Sequence, residues 1–138
     1  MKFIVPVGRV LYSLIFISSG FSHFSATSVG YAASQGVPMP SILVPVSGIL
    51  AIVGGVSVLL GYKARWGAWL LILFLIPVTL MMHGFWKFNG MEGQVQMSMF
   101  MKNTSMLGAA FLIAWFGAGP VSFDAKQNKT LESPEKEK

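Results

Sequence analysis

Four apolar runs, at about residues 5–24, 42–62, 66–86 and 97–119, take up most of this 138-residue chain. Each is close to the roughly 20 residues that an α-helix needs to cross the hydrocarbon layer of a bilayer. In lipid every backbone N–H and C=O must find its partner inside the protein, and a helix satisfies them within one segment. The runs therefore predict an all-α integral membrane protein. Residues 1–120 should form a four-transmembrane-helix bundle, with a short interfacial helix between helices 1 and 2, and residues 121–138 a disordered tail.

Composition excludes the soluble alternative. The chain is 54% hydrophobic and 11% charged, where soluble domains carry roughly a quarter charged residues. Four spans leave no room for a separate catalytic domain. The net charge of +5 does not point to nucleic acid, because no basic run is interleaved with aromatic residues. The lipid bilayer is the expected partner. Cysteine is absent, which excludes disulfides, thiolate nucleophiles, iron–sulfur ligation and zinc–thiolate sites.

Within the first run Arg9 lies near enough to the start for its guanidinium to reach back to the head groups. Lys2, Arg9 and the small residues Ser25 to Ser28 also fit a cleaved leader, although three further spans make cleavage unnecessary. Tyr31 to Pro38 predicts a short helix stopped by Gly36 and Pro38. Gly48, Ala51 and Gly55 form a stripe in the second run that lets another helix approach closely. Lys63 and Arg65 fill a short turn before Trp66 and Trp69 open the third run, where Pro77 should introduce a kink. Phe88 to Gln94 is expected to be a loop, and Gly117, Gly119 and Pro120 should end the fourth run.

Positive residues set the expected orientation. With both termini in the cytoplasm, Lys2, Arg9, Lys63, Arg65, Lys126, Lys129, Lys136 and Lys138 all lie inside, and only Lys87 and Lys102 outside. Cytoplasmic loops attract such an excess.

Under that orientation His23, His83, Lys102 and Asn103 are expected near one depth, at the outer ends of their helices. Arg9, Ser13, Phe16, Gly20 and His23 share one helical face, as do Thr79, His83 and Trp86. A cation or imidazole in lipid is costly unless it meets protein groups, water or head groups, so Arg9, His23, His83, Trp86, Lys102 and Asn103 are the candidate ligand-binding residues. No catalytic residue and no metal ligand is assigned.

Several readings of this cluster stand side by side. It is structural if the lysines reach the interface and the histidines meet water or backbone. A haem between His23 and His83 is one cofactor reading, with two lone histidines as its only support. The other is a quinone head group at His83, Lys102 and Asn103, with Phe85 and Trp86 stacking beside it. Met97, Met99 and Met101 point in different directions on a helix and read as packing rather than copper ligands.

Gly8-Arg9-Val10-Leu11, Ser19-Gly20-Phe21-Ser22-His23, Gly36-Val37-Pro38-Met39-Pro40 and Leu60-Gly61-Tyr62-Lys63-Ala64-Arg65 resemble the DoxX family of small bacterial membrane proteins. His83-Gly84-Phe85-Trp86, Lys102-Asn103-Thr104-Ser105 and Gly117 to Asp124 are similar to its YphA-like inner-membrane branch. The resemblance implies a multi-pass protein of the bacterial inner membrane. It also implies a membrane subunit or anchor of an oxidoreductase or stress-response complex, contacting quinone and working with a soluble redox partner. His23 stands where relatives often carry Lys, and Ala51 where many carry an acidic residue, so a proton-handling role for that carboxylate does not transfer. The family brings no established catalytic residue. The alternatives are a small-solute or lipid-handling protein that forms a homo-oligomer, and a structural membrane protein with no ligand site. Missing thiols and intramembrane carboxylates disfavour an enzyme acting alone.

Overall fold

Each apolar run folds as a helix whose ends are set by local chemistry. A computed structural model describes residues 3–132. It contains α1 (Ile4–Ser22), α2 (Ala26–Ser34), α3 (Pro40–Leu60), α4 (Ala64–Met82), a single 3-10 turn at Phe85–Lys87, α5 (Gly90–Phe116) and α6 (Phe123–Glu132). No strand occurs among the described residues. Pro40 opens α3, where its missing N–H costs nothing. Gly61 closes the same helix at φ +64°, a left-handed conformation that glycine adopts without strain.

Three stretches are long and apolar enough to cross a membrane by length and composition: Ile4–Ser22, Pro40–Leu60 and Ala64–Lys87. The 27 residues of α5 would reach about 40 Å, but Gln94, Gln96, Ser98, Lys102, Asn103 and Thr104 make its first half polar.

Packing follows chain order. Helix α1 lies on α3, α3 on α4 and α4 on α5, while α2 folds against α3. Arg9, Ser13, Phe16 and Gly20 are the buried residues of α1, so the predicted face is the one that packs. Between lipid-embedded helices burial brings little hydrophobic gain, and close backbone approach carries the association instead. Glycines supply it twice. A Cβ on Gly48 would lie 2.7 Å from the carbonyl oxygen of Gly20, where α1 meets α3. A Cβ on Gly54 would lie 2.9 Å from that of Gly67, where α3 meets α4. Phe16, Ala51, Val58, Ala68, Leu71, Phe74 and Leu75 fill the space between these contacts.

Four expected boundaries move. The short helix expected at Tyr31 to Pro38 lies at Ala26–Ser34 instead, because the Ser25 hydroxyl accepts the Ser28 N–H at 3.2 Å and starts it early. The third helix stops at Met82 rather than Trp86: the His83 N–H still donates to the Thr79 carbonyl at 3.3 Å, and the chain then turns at Gly84 into the 3-10 turn. The loop expected at Phe88 to Gln94 is mostly helix, since α5 begins at Gly90. The tail, expected to be disordered, forms α6 as far as Glu132; residues 133–138 lie outside the described residues.

The physical reason for α6 is a polar tie that hydropathy does not register. Asp124 accepts the N–H groups of Lys63 at 2.7 Å and Ala64 at 3.0 Å through its two carboxylate oxygens. It thereby caps the N-terminus of α4, where orphan donors favour an anion. Its own N–H donates to the Gly61 carbonyl at 2.8 Å.

Candidate functional site

A cleft of about 690 Å³ opens between α1, α2, α3 and α4 at the end where α1 finishes and α3 begins. Its walls are apolar, with Val44, Leu50, Leu73, Phe74, Val78 and Met81 among them. The ring groups with polar atoms that line it are His23, Tyr31 and His83. A cavity of this size with few convergent polar groups is the ordinary form of a small-molecule site.

His83 sits just past the end of α4, where the helix gives way to the turn at Gly84. Its Nδ1 lies 2.8 Å from Oε1 of Gln96, and Gln96 Nε2 donates to the Tyr31 hydroxyl at 3.2 Å. Three elements, the α4 terminus, α5 and α2, are thus joined through one buried amide. With Nδ1–H donating to the Gln96 oxygen, Nε2 of His83 is left to accept from a ligand hydroxyl or, once protonated, to donate to a carbonyl. The Tyr31 hydroxyl accepts from Gln96 and keeps its own proton to donate.

His23 reaches the same cleft from the end of α1. Its Nδ1 lies 2.8 Å from the Ser19 carbonyl oxygen, one turn back on its own helix, and its ring meets Phe74 edge-on with centroids 5.7 Å apart. Both imidazoles are therefore oriented through Nδ1, leaving Nε2 as the nitrogen open to a ligand.

The other candidate residues lie elsewhere. Lys102 is exposed on α5, with Nζ 3.3 Å from the Met99 sulfur. Gln96 is level with His83, and Lys102 lies six residues further along α5, about 9 Å at the helical rise. The expected common depth fails because α5 starts at Gly90, which puts Lys102 roughly three turns into the helix instead of in its first. Asn103 is buried on the packed side of α5. Trp86 is exposed and forms an aromatic cluster with Phe85 and Phe100, away from the cleft lining.

Arg9 is at the opposite end of α1. Its Nη1 donates to the Ala118 carbonyl at 2.9 Å and its Nη2 to that of Val121 at 2.7 Å. Its role is to hold the turn after α5. Gln96 and Tyr31 were missed as site residues. A loop assignment through Gln94 hid the helical register that brings Gln96 opposite His83, and nothing local to Tyr31 indicates a long-range partner.

Comparison with known proteins places these residues in a family context. The DoxX family model matches residues 4–84. The chain is 32% identical to the inner membrane protein YphA of Escherichia coli over 123 residues, covering 87% of each chain. It is 33% identical to the inner membrane protein YqjF of the same organism over 129 residues, covering 91% of this chain and 92% of that one. It is 26% identical over 125 residues to the ER-derived vesicles protein ERV29 of Saccharomyces cerevisiae, covering 91% of this chain and 34% of ERV29. No solved structure matches the chain.

Proposed function

The chain belongs to the DoxX family, and from that premise we propose a four-span inner-membrane protein that binds an isoprenoid quinone in the cleft beside His83. In this reading it serves as the membrane subunit of an oxidoreductase or stress-response complex. Helix α5 is the fourth span. Its buried Gln96 and Asn103 turn inward from lipid, and its later half, Phe111 to Phe116, is apolar. In this reading helix α2 lies at the outer interface and both termini are cytoplasmic, an orientation supported by eight cations on that side against Lys87 and Lys102 on the other.

The observation that carries the quinone reading is the pairing of an apolar cleft of about 690 Å³ with the hydrogen-bonded chain Tyr31–Gln96–His83, two of whose members line it. A quinone head presents carbonyls that accept, and a quinol presents hydroxyls that donate. Tyr31 O–H suits the first and His83 Nε2 the second. The isoprenoid tail would follow Leu50, Leu73 and Met81. The cleft lining holds no thiol and no carboxylate, so electrons would have to come from a soluble partner, and this chain would contribute binding and proton handling.

A photoreactive quinone analogue tests the reading on purified protein. Gln96→Leu and His83→Phe should each lower labelling about tenfold, the loss of one or two good hydrogen bonds. Lys102→Met, outside the cleft, should leave labelling unchanged. Equal labelling of all variants would refute the site. Displacement of the analogue by a hydroxylated lipid as readily as by quinol would move the assignment to lipid handling.

A further inference from the structure

A second cleft, of about 440 Å³, lies at the far end of the molecule, where α6 folds back beneath the start of α4. Lys63 and Arg65 line it, with the amides of Gln127 and Asn128 on the α6 side and Trp66 and Phe116 on the side toward the apolar helices. Trp66 is 73% and Phe116 72% exposed. The amphipathic indole of Trp66 favours the boundary between head groups and acyl chains, and the Phe116 ring adds apolar surface beside it.

The charges in this cleft are unbalanced. Asp124 is the carboxylate in its lining, and both of its oxygens already accept the backbone N–H groups of Lys63 and Ala64. Lys63 Nζ stands 5.7 Å over the Tyr62 ring. Arg65 lies across Gly117, where a Cβ would come 3.4 Å from its Nε. Lys126 and Lys129 on α6 add to the positive field.

We propose that this cleft binds the phosphodiester head group of an anionic membrane lipid. The guanidinium of Arg65 supplies paired donors matched to two phosphate oxygens, and Lys63 a point charge. The Gln127 and Asn128 amides hydrogen-bond glycerol or carbonyl oxygens, and the first acyl carbons pack on Trp66 and Phe116. A free phosphate would satisfy the cations but leave the aromatic walls without a role, which favours the lipid. Asp124 positions the site by holding α6 against the start of α4.

Native mass spectrometry of the full chain in neutral detergent, with equal phosphatidylglycerol and phosphatidylcholine added, tests the proposal. Phosphatidylglycerol adducts should exceed phosphatidylcholine adducts about tenfold, as two interfacial cations imply. The double variant Lys63→Asn, Arg65→Gln should lose that preference; asparagine tolerates the left-handed backbone at position 63, φ +49°. Arg65→Gln alone carries the test if the double variant does not fold, and Lys87→Gln should retain the preference. Equal retention of the two lipids, or an undiminished preference in Arg65→Gln, would overturn the proposal. So would displacement by soluble glycerol phosphate at the same concentration as the lipid.

Discussion

The guanidinium of Arg9 donates to the carbonyl oxygen of Ala118, 109 residues further along the chain, and ties the first helix to the turn that follows the last long one. A buried cation in this position satisfies two carbonyls that have no helical partner, those of Ala118 and Val121. Arg9→Met removes both donors and leaves the acceptors buried. Thermal unfolding in detergent should show a loss of about 2–4 kcal/mol. Arg9→Lys, which cannot span both carbonyls with a planar fork, should lose part of that.

Val121 holds a left-handed backbone, φ +54°, that a β-branched residue adopts only under strain. Arg9 draws its carbonyl into place. Val121→Gly relieves the strain without touching the hydrogen bond, and should raise stability by about 1 kcal/mol, read as a higher unfolding midpoint.

Asp124 links α6 to the start of α4. Asp124→Ala leaves two N–H groups at the α4 terminus uncapped and should cost about 1–2 kcal/mol. It should also free α6, so that limited trypsin cleaves after Lys126 and Lys129 faster than in the unaltered protein. Helical content measured by circular dichroism should change little, since α6 is only 10 of the described residues.

Gly48 brings α3 against the backbone of α1 beside Gly20 and His23. Gly48→Val would press its side chain into the Gly20 carbonyl and the His23 Cβ, and should destabilise the protein by about 1–3 kcal/mol. It should also weaken quinone-analogue labelling, because parting α1 from α3 displaces His23 from the cleft. Gly8→Val, with open space around it, is the control and should change neither reading.

Periodicity made the helix faces legible. Arg9, Ser13, Phe16 and Gly20 recur at three and four residues, and the same four are buried in α1. Gly48, Ala51 and Gly55 behave likewise in α3. The two histidines also reach one cleft from different helices. Polar partners across long separations were not legible, because each depends on where a helix begins. Placing the start of α5 near Met97 instead of at Gly90 hid Gln96 and put Lys102 at the wrong depth. Asp124 carries no local sign that it reaches back 61 residues to Lys63. A hydropathy profile sees only polarity in α6, where the structure has a cap and a wall.

Because each long helix packs mainly on the one made before it, the molecule can assemble in the order of its synthesis, with no early helix waiting for a distant mate. The bonds from Arg9 to Ala118 and from Tyr12 to Met106 run against that order, and the first can close only when nearly the whole chain exists. Until then the guanidinium lacks the Ala118 and Val121 carbonyls that it meets in the folded protein. A prematurely ended polypeptide would leave Arg9 without either acceptor and the first helix without its tie to the far end of the chain.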